Sequence, residues 1–207
     1  MSIYYTPDPD DYEGEPRLPP LLRAQAVEAE MLDAGDHHSY ALAQAAQVDP
    51  GTVFYAEAGG IARFSVVLAP DVPTVQAAQM FHAMMVGVGD AIGALAPPEV
   101  EVNYLFPGYV LLNRGRAGTV QVSIDPAAGL QDEPVWMVRW EEDGFRPVFD
   151  AWNHRAITDT AVDLETGTIA DWVGLDEDGQ ALLRIDGKVI AMPAHLFVDA
   201  TGPLRPL

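Results

Sequence analysis

The sequence predicts an α+β fold, and three observations carry the prediction. Runs rich in β-branched and aromatic residues, such as VFYAE and RFSVVLA, are bounded by turn residues in the manner of short strands. One long segment, from Pro73 to about Ala96, keeps apolar residues at the three-to-four spacing of a helix face. The end of the chain is a series of short apolar segments punctuated by Asp-Gly pairs.

Taken in order, residues 1–16 form an acidic, proline-rich lead-in that composition favours as a flexible arm. Residues 21–35 are ambiguous between strand and helix. Asp36 can cap a short helix to about Gln47, with Tyr40, Ala43 and Ala46 as its inner face. Asp49-Pro50-Gly51 breaks the chain. Strands are expected at Val53–Glu57 and Phe64–Ala69, joined by a loop from Ala58 to Arg63. Pro73 then opens the long helix, whose inner face should run through Val75, Ala78, Phe81, Met85, Val88, Ile92 and Leu95. Pro97-Pro98 stops it.

Val102–Phe106 is the next expected strand, and Pro107-Gly108 turns the chain. Tyr109–Leu112 and Thr119–Ile124 should form a hairpin across Asn113–Gly118. The alternation of Val120, Val122 and Ile124 with Gln121 and Ser123 suits a half-buried strand. Residues 126–134 read as a loop, and Val135–Glu141 as a strand or a helix end. Phe145–Arg155 reads as a helix with Phe149 and Trp152 inward. Gly167–Val173, Ala181–Ile185 and Val189–Met192 are short strands, and Asp186-Gly187 is a strong hairpin signal. Together these last strands suggest a small β-barrel. No internal repeat is evident.

Composition narrows the function. Of 207 residues 49% are apolar, enough for one substantial core and a small second module. There are 31 acidic against 11 basic residues, a formal net charge of −20, so the surface repels phosphate backbones and anionic lipids. Nucleic acid and membrane are therefore not expected as partners. Lys188 is the only lysine. The absence of cysteine removes disulfides, thiolate zinc sites and Cys nucleophiles together. With no apolar segment of transmembrane length and no signal-peptide pattern at the start, the expected location is cytoplasmic.

The block from Gly51 to Ile124 resembles the biotin/lipoate A/B protein ligase family, and most closely a bacterial subgroup of ligase-like proteins. The matching stretches are GTVFYAE, RFSVVLAPDVP, GDAIGALAPPE and NYLFPGYVLLNRGRAGTVQV. The last of these is similar to the ligase segment that runs Trp-Pro-Asn-Asp, a hairpin, then Lys-x-Gly-Gly. EEDGFRPVFDAWNHRA and GTIADWVGLDEDGQALL resemble the subgroup's closing helix and its C-terminal SH3-like module. The resemblance covers residues 17–198. It implies a ligase-like mixed sheet packed by helices over residues 17–160 and a small SH3-like barrel over 161–207. It also implies biotin, lipoate or ATP as a ligand; a homodimer is the assembly expected if the chain is instead a structural dimerising module.

The departures from the family pattern bear on activity. Such ligases activate a carboxylate at the α-phosphate of ATP, and the developing charge needs preorganised cations and amides. The family carries a glycine- and arginine-rich loop for this, where the present chain has Ala58-Gly59-Gly60-Ile61-Ala62 and then Arg63. The Trp-Pro-Asn-Asp segment matches Phe106-Pro107-Gly108-Tyr109, which keeps the apolar wall and loses the polar pair. The family's catalytic lysine matches Arg116, which keeps the charge but not the compact ammonium. The resemblance thus implies a ligand cleft beside the Ala58–Arg63 loop, using Gly59, Gly60, Arg63, Phe106, Val110 and Gly118. Arg116 would meet a small apolar carboxylate at the polar end and is the one catalytic candidate. Three readings follow: a catalytically impaired ligase-like protein, an active ligase or acyltransferase, and a structural dimerising module.

Other features read as structural. His37-His38 lacks companion metal ligands and suits an exposed helix start. His82 borders the apolar helix stripe and suits a core or edge position. Asp176-Glu177-Asp178-Gly179 resembles half of a calcium loop but suits a turn. Trp136, Trp140, Trp152 and Trp172 suit packing.

Overall fold

The computed structural model describes residues 16, 18–28, 37–58, 61–70, 72, 74–123, 146–164, 167–193, 196 and 204–206. Nearly all of the expected N-terminal arm, the segment 126–141, Trp136 and Trp140 fall outside these. The chain divides into two compact units, Met1–Ala69 and Pro70–Leu207.

In the first unit, β1 (Arg23–Ala26) runs parallel to β2 (Thr52–Ala58), and β3 (Ile61–Val66) runs antiparallel to β2. The ambiguous segment thus contains a strand. Gly51 enters β2 with φ 88°, and a Cβ there would lie 2.4 Å from the Leu21 carbonyl oxygen, so no larger residue fits. Helix α1 (His37–Gln44) ends in a 3-10 turn, Ala45–Gln47. Its inner face differs from the expected one: His37 and Ala41 are buried and Tyr40 half-buried, whereas Ala43 and Ala46 are exposed. The buried stripe is out of phase with the apolar spacing because the polar His37 faces inward with Ala41. His37 Nδ1 is hydrogen-bonded to Ser65 Oγ at 3.2 Å, and Tyr40 meets Phe54 edge-on at 5.8 Å. Val27, Ala41, Phe54 and Ala56 form the core of this unit.

The second unit begins with α2 (Thr74–Ala77) and α3 (Gln79–Leu95). Ala78 between them keeps helical angles, and Phe81 N donates to its carbonyl, so the expected long helix is present with a tightened turn. Ala78, Phe81, His82, Met85 and Gly89 make its buried stripe, while Leu95 is 87% exposed, contrary to expectation. Strands β4 (Val102–Leu105), β5 (Tyr109–Leu112) and β6 (Gly115–Thr119) form an antiparallel sheet in that order. The hairpin is tighter than expected. Asn113 and Arg114 take φ 47° and 66°, so two residues suffice for the turn and the return strand starts at Gly115 rather than Thr119.

Helix α4 (Arg146–Arg155) buries Trp152 and half-buries Phe149, as its spacing predicts. A five-stranded antiparallel sheet follows, built from β7 (Thr160–Leu164), β8 (Thr168–Leu175), β9 (Ala181–Ile185), β10 (Lys188–Met192) and β11 (Leu204–Pro206). Its order is β10-β9-β8-β7-β11, so among the described residues the sheet is open and not the closed barrel expected. Strands β10 and β11 lie at opposite edges and do not pair. Asp186 and Gly187, with φ 50° and 76°, form the predicted two-residue hairpin. The core joins α3, β4, β5 and α4 to β7, β8 and β9 through Phe81, Met85, Tyr104, Phe106, Trp152 and Trp172. Among the described residues no helix is long and apolar enough to cross a membrane.

Candidate functional site

The β4–β5–β6 segment carries most of the residues singled out from the sequence. Phe106 follows β4 and is fully buried, its ring stacked on Trp172 with centroids 5.3 Å apart and planes 10° apart. Val110 on β5 is also fully buried in the same core. Gly118 on β6 pairs with Val110, and a Cβ added at Gly118 would meet nothing within 4 Å. Gly108 is the opposite case: its Cβ would lie 2.2 Å from the Val120 carbonyl oxygen and 3.0 Å from Phe81 Cζ.

Arg116 does not share the Val110–Gly118 face. The ladder pairs Val110 with Gly118 but Leu111 with Arg116, so Ala117 is an extra residue on β6. Such a bulge inverts the alternation. Arg116 therefore projects on the Tyr109 and Leu111 side, and its guanidinium carbon lies 4.1 Å from the Tyr109 ring centroid. At that distance the cation lies within cation–π range of the ring face. Arg114 is exposed in the turn. Neither Arg114 nor Arg116 makes an ion pair among the described residues.

Arg63 belongs to the first unit. The pairing of Ala58 with Ile61 leaves only Gly59 and Gly60 to connect β2 and β3. The segment Ile61–Arg63 is therefore strand, where a loop was expected, because two glycines suffice to reverse an antiparallel pair. Arg63 pairs with Ala56, and its Nη1 donates to the Ile61 carbonyl at 3.3 Å. Gly59 and Gly60 themselves lie outside the described residues.

Two polar clusters in the second unit were not foreseen. Arg155 Nη1 donates to Tyr104 Oη at 3.0 Å and pairs with Asp90 Oδ1 at 2.7 Å. Burial pushes the Tyr104 phenol up, and the Arg155 hydrogen bond and charge oppose that shift. Gly89 makes the arrangement feasible, since a Cβ there would lie 2.2 Å from Tyr104 Oη. The glycine in the apolar stripe was the only sequence signal; the spacing of Arg155 gave none. The second cluster surrounds His82, which is fully buried, as a core histidine would be. Its Nε2 donates to the Gly179 carbonyl at 3.2 Å, and its ring packs edge-on against Trp152 at 5.4 Å. Burial lowers its pKa to about 4, with the Gly179 hydrogen bond opposing.

The acidic run at residues 176–179 is a turn. Asp176 Oδ1 accepts from the amides of Asp178 and Gln180 at 3.0 and 2.8 Å, and Oδ2 accepts from Gln180 Nε2 at 3.1 Å. His37, expected at an exposed helix start, is instead only 5% exposed. Trp152 and Trp172 are core residues, as expected.

Comparison with known proteins agrees with this architecture. A biotin protein ligase-like protein of unknown function from Silicibacter sp. TM1040 has a similar crystal structure, with a TM-score of 0.67 and 23% identity over 86% of this chain and 97% of that one. The apo structure of biotin protein ligase from Aquifex aeolicus gives a TM-score of 0.50 at 14% identity, covering 89% of this chain and 97% of that one. No curated protein matches the sequence. The pattern of the biotin/lipoate A/B protein ligase family matches residues 18–139, more than half of the chain. The chain belongs to the biotin/lipoate A/B protein ligase family.

Proposed function

We propose that this chain is a ligase-like protein that has lost adenylate-forming chemistry and keeps a carboxylate-binding position at Arg116. The observation that carries the reading is the β2–β3 connection. Its two residues, Gly59 and Gly60, bear no side chain that could supply a cation, and Arg63 sits within β3 and folds back onto its own strand. Without a basic loop the α-phosphate of ATP loses the charge stabilisation on which the family's chemistry depends.

Arg116 supports the second half of the reading. Its guanidinium is exposed, held over Tyr109 and not committed to a carboxylate among the described residues. A planar cation oriented this way is suited to receive a small carboxylic acid through two parallel hydrogen bonds. The apolar residues Phe106 and Val110 lie on the other side of the hairpin and are core, so the acid's chain would be held on the Tyr109 side. Calorimetric titration with biotin, lipoate and octanoate tests this. Binding by one of them should weaken by about 1.5–3 kcal/mol in Arg116→Ala, the scale of a hydrogen bond to a charged group. Binding that Arg116→Ala leaves unchanged would remove Arg116 from the site.

We assign the closing five-stranded sheet to the SH3-like module of the subgroup, supported by its short antiparallel strands and the tight Asp186-Gly187 hairpin. A cytoplasmic setting fits the absence of cysteine.

A further inference from the structure

We draw no further inference here: the strongest candidate, the exposed apolar edge of the C-terminal sheet at Val189 and Ile190 on β10, carries nothing because nothing in the structure shows what covers it.

Discussion

At the scale of single residues, glycines and one histidine make the sharpest demands. Gly108 precedes β5 and Gly118 pairs with β5 from within β6, yet only the first is crowded. Gly108→Ala should therefore destabilise the fold by about 1–3 kcal/mol, the usual cost of overpacking, whereas Gly118→Ala should change it by about 0.5 kcal/mol or less. Urea denaturation of the two variants separates them, and equal effects would contradict the described packing. His82 makes a pH-dependent demand. Unfolded histidine titrates near 6.5 and the folded residue at about 4, so above 6.5 both states are neutral and the native state keeps its full stability. As the pH falls from 6.5 towards 4, only the unfolded chain takes the proton, and stability drops by about 3 kcal/mol across that window. His82→Gln should remove this component. The difference between wild type and variant cancels the titration of the many carboxylates. Denaturation at pH 7 and pH 4.5 should show the wild type losing about 2–3 kcal/mol more than the variant; parallel losses would mean that His82 is accessible to protons in the native state.

At the scale of elements, what was legible depended on how much side-chain pattern each one carries. Helices α2 and α3, helix α4 and the Asp186-Gly187 hairpin are readable because their periodicity or turn chemistry is local. Strand β7 was missed because TAVDL offers only five residues, with no turn signal strong enough to mark it off. Strand β11 was missed because it is a three-residue edge containing Pro206, held by pairing with distant β7. The hairpin register was misjudged for a related reason. The Asn113-Arg114 turn places two non-glycine residues at positive φ, and the bulge at Ala117 leaves no mark in the hydrophobic alternation. That bulge also sends Arg116 to the Tyr109 side, away from Val110. A residue-by-residue match to a motif supplies positions and says nothing of which face each side chain takes. The β8–β9 connection gives an element-level test. Asp176 alone accepts three hydrogen bonds within it, so Asp176→Ala should lower stability by about 1–2 kcal/mol, measurable by chemical denaturation. An unchanged unfolding midpoint would mean that the turn holds without its carboxylate.

At the scale of the whole molecule, charge and cation supply dominate. A net charge of −20 sets a surface potential hostile to polyanions, and electrostatics governs nucleic-acid affinity. Fluorescence titration at about 150 mM salt should show no binding of duplex DNA or RNA in the micromolar range, where even non-specific binders associate; saturable binding there would require a basic surface that the composition does not supply. The same shortage of cations bears on catalysis. Family membership gives the scaffold, while the chemistry asks for several positive groups around one phosphate, and from Gly51 to Leu130 the chain offers only Arg63, Arg114 and Arg116. Each missing charge-stabilising donor typically costs about 2.7–4 kcal/mol of barrier. The decisive measurement is pyrophosphate release from ATP by the full chain with biotin, lipoate or octanoate, run beside an active biotin protein ligase. Release at the no-acid background is the predicted result; turnover comparable to the active ligase would contradict it.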